Sequence, residues 1–235
     1  MKISILIPTR KRPHFLERLF KSVQDTADNI NDIEVCLYID NDDTETMVEL
    51  PRLGTMLNLK TRIGERIILA EMWNKCYKIA DPSSQIFQHS NDDITFNTKG
   101  WDTLITKAFE KYPDRIAFVG GRDGHDPHNN DLFTHGFLSK QWIETIGYVT
   151  PPYFSSDFCD VWLTDVAKMI NRFHYIPELY MEHFHPAFGK APEDSVHQDR
   201  IKRHYADNVR QKYDDLYALR LADASKLRNA IERFK

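Results

Sequence analysis

An apolar stretch that runs directly into two carboxylates organises this sequence: Ile86-Phe87-Gln88-His89-Ser90-Asn91-Asp92-Asp93. Residues 85–90 have the length and apolar content of a buried central strand, so Asp92 and Asp93 follow its C-terminal end. Open α/β sheets bind their ligands at that edge. Carboxylate oxygens are hard ligands suited to Mg²⁺ or Mn²⁺, ions that also bind phosphate. The segment therefore predicts a site for a metal and a phosphate-bearing ligand.

Two further apolar stretches end in polar residues of the same kind. The first is Lys2-Ile3-Ser4-Ile5-Leu6-Ile7, which continues as Pro8-Thr9-Arg10. The second is Glu34-Val35-Cys36-Leu37-Tyr38-Ile39, which continues as Asp40-Asn41-Asp42-Asp43. Because parallel strands end at one edge of a sheet, we expect the three sets of polar groups to share a crevice that holds a metal and a nucleotide.

Strands and helices alternate along the chain. We predict strands at 3–7, 33–39, 56–61, 85–90, 116–120 and 134–138, an extended segment at 175–184, and helices at 14–26, 65–80, 99–112, 140–146 and 157–171. This rhythm predicts an α/β fold with a mostly parallel, Rossmann-like sheet flanked by helices. We expect one domain over residues 1–195 and a charged helical C-terminal extension over residues 196–235.

The composition is that of a globular protein with a substantial core. Of the 235 residues, 41% are hydrophobic, and the net charge of −4 gives no global reason to bind nucleic acid or an anionic membrane. Cys36, Cys76 and Cys159 are widely separated, which argues against a disulfide framework and fits a reducing compartment. No stretch approaches the roughly 18 apolar residues of a membrane helix. We therefore expect a cytoplasmic protein without stable membrane insertion.

Four motifs, in this order, resemble those of the family 2 glycosyltransferases, which have the GT-A fold. They are Ser4-Ile5-Leu6-Ile7-Pro8-Thr9-Arg10, Leu37-Tyr38-Ile39-Asp40-Asn41, Asn91-Asp92-Asp93 and Asp157-Phe158-Cys159-Asp160-Val161-Trp162-Leu163. The resemblance implies metal-dependent, inverting transfer of a sugar from a nucleotide-diphosphate sugar to a hydroxyl acceptor. It implies Mn²⁺ or Mg²⁺ as cofactor and leaves the donor sugar and the acceptor open.

The resemblance also implies roles in catalysis and metal binding. Asp93 is expected to bind the metal and Asp92 to contact the ribose or a metal-bound water. Asp160, near the start of a predicted helix, is the expected base that takes the proton from the acceptor hydroxyl. A histidine late in such domains completes the metal site, and His183 and His185 are the candidates, with a preference for His185.

The nucleotide pocket is expected to contain Pro8, Thr9 and Asp40 by the same resemblance. An aspartate can accept the imide N–H of uracil, which makes a UDP-sugar the expected donor. Arg10 and Arg62 are candidates for pairing with the diphosphate, although a basic run is also typical of a solvated surface.

The sequence departs from the family pattern in three places. Asn41-Asp42-Asp43 stands where Asp-Gly-Ser is usual, and Cys159-Asp160 stands where Glu-Asp is usual. Residues 120–132 are unlike the commoner members. We interpret His125, Asp126 and His128 in that segment as surface-loop residues, with acceptor binding or lid closure as their function if they have one.

Other functions are compatible with parts of the pattern. His183 and His185 with Asp92 and Asp93 would suit a metal-dependent hydrolase, and the chain would also suit a catalytically inactive module that binds nucleotide sugars. A nucleotidyltransferase is disfavoured because Pro8-Thr9-Arg10-Lys11-Arg12 contains no glycine.

The predicted helical segment at the C-terminus is rich in basic residues. Its basic residues include Arg200, Lys202, Arg203, Arg210 and Lys212. They could face a polyanionic acceptor, including nucleic acid, but we favour a salt-bridged helix that packs on the domain or in a homodimer.

Overall fold

The computed structural model describes residues 1–124 and 131–234. Within them, the strands of a single sheet are β1 (Ile3–Thr9), β2 (Ile33–Asp40), β3 (Asn58–Gly64), β4 (Ile86–His89), β5 (Ile94–Phe96), β6 (Phe118–Arg122), β7 (Phe137–Ser139) and β8 (Phe173–His183). The strand order is β3-β2-β1-β4-β7-β6-β8-β5. Strands β3, β2, β1 and β4 run parallel, as do β6 and β8, whereas β7 runs antiparallel to both of its neighbours.

Helices cover both faces of this sheet. In the described residues they are α1 (Pro13–Thr26), α2 (Thr44–Leu53), α3 (Leu69–Tyr77), α4 (Trp101–Glu110), α5 (Lys140–Ile146), α6 (Cys159–Met169), α7 (Ser195–Ala206), α8 (Val209–Asp215) and α9 (Tyr217–Glu232). The predicted α/β architecture with a mostly parallel sheet is confirmed. Helix α2 and strand β5 were not predicted from the sequence. None of the described helices has the length and apolar content needed to cross a membrane.

The residues of the central strands are mostly apolar, since both faces of these strands are covered. Every residue of β1 and β2 is buried. Their side chains alternate between two cores, so that Leu6 belongs to one and its neighbours Ile5 and Ile7 to the other. Helix α1 buries Leu16, Leu19, Phe20 and Val23 in the second core, which fixes the loop after β1 at the sheet edge. This loop carries the first polar cluster of the crevice.

The C-terminal helices share a core with the rest of the chain. Leu227 of α9 lies in the same hydrophobic cluster as Trp162 of α6. The indole Nε1 of Trp162 donates a hydrogen bond to Asp223 Oδ2 over 3.2 Å, and the Tyr148 hydroxyl donates to the same oxygen. Burial on this scale ties residues 209–231 to α5 and α6.

Ion pairs occupy most of the basic residues of the C-terminal segment. Arg200 pairs with Asp157 at 2.6 Å and Arg203 with Asp199 at 2.9 Å. Arg210 lies 3.4 Å from Asp214, and Lys212 pairs with Asp207. These contacts are those of the salt-bridged helix that the sequence analysis favoured.

Candidate functional site

A cavity of about 380 Å³ opens at the C-terminal ends of β1, β2 and β4. Of the ten residues expected to act in catalysis, metal binding or nucleotide binding, nine line it: Pro8, Thr9, Arg10, Asp40, Asp92, Asp93, Asp160, His183 and His185. These residues are spread over more than 170 positions of the chain, and the strand order is what collects them. The crevice predicted from three strand ends is therefore present.

The carboxylate pair after β4 is held from the β1 side. The Thr9 hydroxyl donates to Asp92 Oδ2 over 2.8 Å, and Arg12 Nη1 donates to Asp92 Oδ1 over 3.4 Å. Arg12 also lies 4.0 Å from Asp93 Oδ2. Burial raises the pKa of Asp92 above its ordinary value, although the Arg12 charge opposes that effect. The pair is thus packed against one cation and one hydroxyl.

Asp93 faces His183 across a short gap. Asp93 Oδ1 and His183 Nε2 are 3.3 Å apart, but their angle does not make a hydrogen bond, and neither atom has a hydrogen-bond partner among the described residues. Burial acts to raise the pKa of Asp93, but His183, then Arg12, outweigh it and the pKa is lowered. A carboxylate is a preferred ligand of Mn²⁺, and an imidazole nitrogen is a common ligand of divalent first-row metals. Two buried, unpartnered ligand atoms at this distance fit a divalent cation between them.

These two residues do not form a complete metal site by themselves. In the described part of the chain, no group of three or more His, Cys, Asp or Glu side chains is arranged to hold a metal ion. A divalent ion held by Asp93 and His183 would need further ligands, such as phosphate oxygens or water.

The structure distinguishes the two candidate histidines. His183 is the last residue of β8 and is 5% exposed. His185 begins the short 3₁₀ turn Pro186–Phe188, where its Nδ1 accepts a hydrogen bond from the Ala187 amide over 3.2 Å. Their ring centres are 5.1 Å apart. His183, rather than the His185 preferred from the sequence, is the residue in contact with Asp93.

An arginine–carboxylate network forms the β1–β3 end of the cavity. Arg10 Nη1 donates to Asp40 Oδ2 over 2.9 Å, and its other nitrogen donates to Asp42 over 2.7 Å. Arg66 Nε lies 3.8 Å from the same oxygen of Asp40. Asp40 is 2% exposed, and its Oδ1 has no hydrogen-bond partner within residues 1–124 and 131–234. One oxygen of Asp40 is therefore held while the other is left to accept a bond.

Arg62 does not reach this network. Strand β3 continues to Gly64, past the end predicted at residue 61, so Arg62 lies within the strand, where it is exposed. Arg66 follows the strand and lines the cavity instead. Arg66, which lies near Asp40 together with Arg10, is thus four residues beyond Arg62.

The cavity is closed on another side by α7 and the residue before it. Asp194 accepts two hydrogen bonds from Arg12, at 2.7 Å from Nε and 2.7 Å from Nη2. Asp199 of α7 pairs with Arg66. We include Arg12, Asp194 and Asp199 in the arginine–carboxylate network. The sequence signalled Arg12 only as part of a basic run, and it held no signal for a contact across 182 positions.

Asp160 occupies the second position of α6, where helix amides stabilise a carboxylate. Its Oδ1 accepts a hydrogen bond from the Val161 amide over 2.9 Å. Its side chain is partly open to the cavity, and the protein around it raises its pKa to about 6 by burial. Asp157, three residues earlier in the chain, is instead paired with Arg200 and with His204 Nδ1, each at 2.6 Å. Asp160 is the carboxylate better suited to accept a proton near neutral pH.

The loop residues His125, Asp126 and His128 lie outside the described residues. Their interpretation as surface residues stays a prediction.

Comparison with solved structures identifies the fold. No protein-family model and no curated protein matches the sequence. The mannosyltransferase PcManGT from Pyrobaculum calidifontis, solved with GDP-Man and Mn²⁺, superposes with a TM-score of 0.65 at 15% identity, over 89% of this chain and 64% of that one. This chain therefore spans less than two thirds of that structure's length.

TarS from S. aureus gives a similar result. Its complex with UDP has a TM-score of 0.61 at 16% identity, over 88% of this chain and 72% of that one. Its complex with UDP-GlcNAc has a TM-score of 0.60 at 14% identity, over 89% and 66%. At these identities the similarity concerns the fold: the chain has the α/β fold of nucleotide-sugar glycosyltransferases, as the GT-A resemblance predicted.

Proposed function

We propose that this protein is a metal-dependent, inverting glycosyltransferase that uses a nucleotide-diphosphate sugar, with a UDP-sugar as the expected donor. The observation that carries the proposal is the meeting of Asp40, Asp92, Asp93 and Asp160 in one cavity at the carboxyl edge of the sheet. Each has a different environment, which suits it to a different part of a donor and an acceptor. The fold shared with solved glycosyltransferases supports the same reading.

The β1–β3 end of the cavity is suited to the nucleoside. The unpartnered Oδ1 of Asp40 can accept an N–H, which uracil and guanine both present and which cytosine lacks at the corresponding ring nitrogen. Thr9 and Asp92 lie between this end and Asp93, where a ribose would lie. Both nucleotides occur in the solved neighbours, so GDP is the alternative that the experiment must test.

The diphosphate is expected to lie between Asp93 and the arginines. Asp93 and His183 would hold the divalent cation, which when bound neutralises charge on the leaving diphosphate. Arg12 and Arg66 line the same part of the cavity and would pair with its remaining oxygens. Both arginines are held by acidic residues of the 194–199 segment, so diphosphate binding would exchange one anionic partner for another.

Asp160 would act as the base in the transfer. Its carboxylate takes the proton from the acceptor hydroxyl while that oxygen bonds to the anomeric carbon. The bond from the anomeric carbon to the diphosphate oxygen breaks on the opposite face, and its electron pair leaves with the diphosphate. Attack opposite to the leaving group inverts the anomeric configuration. The acceptor class is left open by these residues.

Calorimetric titration tests the proposal. We expect UDP to bind in the presence of Mn²⁺ and the binding to weaken strongly when Mn²⁺ is withheld or when Asp93→Ala is introduced. CDP is the control for base recognition, because it keeps the diphosphate and changes the group that faces Asp40. Tighter binding of GDP than of UDP would keep the transferase proposal and change the donor.

The alternatives give different results in the same titration. The metal-dependent hydrolase predicts tight Zn²⁺ binding and no nucleotide binding with any metal, an outcome that would overturn the proposal. The inactive binding module predicts nucleotide-sugar binding, with no turnover that Asp160→Asn could reduce.

A further inference from the structure

Three buried imidazoles stand side by side next to the carboxylate pair, and we call them the histidine wall: His89, His135 and His183. They are 3%, 2% and 5% exposed. His89 ends β4, His135 stands two residues before β7, which pairs with β4, and His183 ends β8. The His135 and His183 rings are in edge contact, with centroids 4.6 Å apart. The wall thus lies at one edge of the sheet, where β4 and β8 end and β7 begins.

The wall is unusual in its hydrogen bonding. All six of its ring nitrogens are buried without a hydrogen-bond partner among the residues that the structure describes. Two histidines outside the wall have partners: His174 Nδ1 lies 2.8 Å from the Tyr112 hydroxyl, and His204 Nδ1 lies 2.6 Å from Asp157. A buried polar atom without a partner destabilises the folded state, so such a concentration calls for a function.

His89 is the member of the wall that lines the cavity without being assigned to the metal. Its ring packs on Trp73 with centroids 4.2 Å apart, and Trp73, Met72 and Leu69 line the cavity beside it. Burial lowers the pKa of His89 to about 3, so the imidazole is neutral at physiological pH. A neutral imidazole offers one N–H donor and one acceptor nitrogen.

These properties select a class of ligand. A neutral, largely apolar surface gives a phosphate no charge to pair with. A sugar hydroxyl both donates and accepts, which matches a neutral imidazole, and the C–H face of a sugar ring matches the neighbouring indole and aliphatic side chains. His89 also precedes Asp92 and Asp93 by only a few residues, so a ring attached to the diphosphate would lie near it.

We propose that His89 is a specificity-determining residue that recognises a ring hydroxyl of the transferred sugar. The inference rests on the proposed function, because it presumes that a nucleotide-diphosphate sugar enters this cavity. Both ring nitrogens of His89 lie beneath the cavity surface, so a hydrogen bond to the sugar hydroxyl requires the imidazole to rotate toward the sugar.

The test separates recognition of the sugar from recognition of the nucleotide. Dissociation constants are measured for UDP and for UDP-glucose, UDP-galactose and UDP-GlcNAc, with Mn²⁺, on the wild type, His89→Leu and His89→Gln. The GDP-hexoses replace them if GDP is the nucleotide that binds. His174→Leu is the matched control, because it removes a half-buried imidazole that does not line the cavity.

We expect His89→Leu to bind UDP like the wild type and to lose about 10-fold or more of the preference among the hexoses, with His89→Gln intermediate. A wild-type preference that survives unchanged in both variants would overturn the inference, as would a wild type that binds UDP and all three UDP-hexoses equally. Absence of binding by any nucleotide to the wild type would instead refute the proposed function.

Stability distinguishes recognition from a purely structural role. Leucine removes two unpartnered polar atoms, so we expect His89→Leu to melt no lower than the wild type. If it does unfold, His89→Gln, which keeps a donor and an acceptor, decides the question: an altered order of preference among the hexoses supports the inference, and an unaltered order overturns it.

Discussion

The two ends of the cavity treat their polar groups in opposite ways. In the arginine–carboxylate network at the β1–β3 end, Arg10, Arg12 and Arg66 are each paired with carboxylates of the chain itself. In the histidine wall at the β4–β8 end, six ring nitrogens lack a hydrogen-bond partner among the described residues. To bind a ligand, the arginines of the first end must give up their carboxylate partners, whereas the imidazoles of the second end can form new hydrogen bonds without losing any. We therefore expect substitutions in the network to raise or lower the affinity for the nucleotide. Substitutions in the wall, or at Asp93 where the two ends meet, are expected to abolish sugar specificity or activity.

The largest effect is expected where the two ends meet, at Asp93. Asp93→Ala removes the carboxylate that faces His183. Because this carboxylate is an expected metal ligand, the variant should no longer hold the cation next to the donor phosphates. We expect turnover of the nucleotide sugar to fall about 1,000-fold, because charge stabilisation of the leaving group is lost. Steady-state kinetics across a Mn²⁺ series measure it. Asp42→Ala, which removes an exposed carboxylate of the network, is the control. An equal loss of turnover in both variants would contradict the expected difference between Asp93 and the network.

The next effect separates chemistry from binding at Asp160. Asp160→Asn keeps the shape of the side chain and removes the proton acceptor, so we expect kcat to fall about 100-fold or more while the affinity for UDP is unchanged. A fall in UDP affinity with unchanged kcat would indicate that Asp160 binds the donor and is not the base. Pre-steady-state measurement of the first turnover excludes an effect on product release.

The pH dependence of the wild type follows from the same carboxyl group. Its pKa is raised to about 6, and the base must be ionised to act, so we expect kcat to rise with pH through about 6 and then level. In Asp160→Asn that limb should disappear from the residual rate. A rise centred near the ordinary aspartate value, or one that persists in the variant, would assign the limb to another group.

The same shift has a consequence for folding. A carboxyl whose pKa is raised in the folded state destabilises it above that pKa and not below the unfolded value. Asp160→Asn should therefore be more stable than the wild type above pH 6, and the gain should vanish near pH 3. Since Asp160 is partly open to the cavity, we expect the gain to be about 1 kcal/mol or less. Denaturant unfolding at the two pH values measures it.

A smaller effect, of opposite sign, is expected in the network. Asp194→Asn weakens the hold of the chain on Arg12 and keeps an N-cap for α7, because asparagine caps helices as well as aspartate does. We expect UDP to bind about 3- to 10-fold more tightly, as Arg12 no longer has to leave a carboxylate. Glu193→Gln removes one negative charge at the adjacent position and controls for net charge. Weaker binding in Asp194→Asn would show that the contact positions Arg12 rather than competing for it.

The smallest effect is expected at Arg62. Arg62→Ala changes an exposed residue of β3 and should alter UDP affinity by less than about 2-fold. Arg66→Ala, four positions on, removes a residue that lines the cavity and should weaken UDP binding several-fold. A larger loss of UDP affinity in Arg62→Ala than in Arg66→Ala would indicate that Arg62 pairs with the diphosphate.

The elements that local pattern could define were predicted well. The apolar runs of β1, β2 and β4 were located within two residues, and the helix at Lys140–Ile146 was predicted with its observed ends. Helix α2 was missed because Asn41-Asp42-Asp43 looks like a turn and Pro51 lies inside the helix. Its capping signal was nevertheless present, since Asp43 accepts a hydrogen bond from the Thr46 amide.

The site was predictable to the extent that it lies on strand ends. Thr9, Asp40 and Asp93 follow apolar strands, and parallel pairing brings them together whatever the sequence between. The contacts of Arg12 with Asp194 and of His135 with His183 depend on how distant segments fold back, and local sequence carries no trace of that. The one available signal for the wall was His89, a polar residue near the end of the predicted strand that leads into Asp92 and Asp93.

The three cysteines make the chain convenient for labelling. Cys36, Cys76 and Cys159 are buried, and burial raises the pKa of each thiol, which suppresses the reactive thiolate. The natural sequence can thus serve as an unreactive background for maleimide chemistry. Tyr205 of α7 is 78% exposed, so Tyr205→Cys would introduce a selectively reactive thiol on the helix that holds Arg66 and covers Asp157. A fluorophore at that position would report, in real time, whether α7 moves as the nucleotide enters.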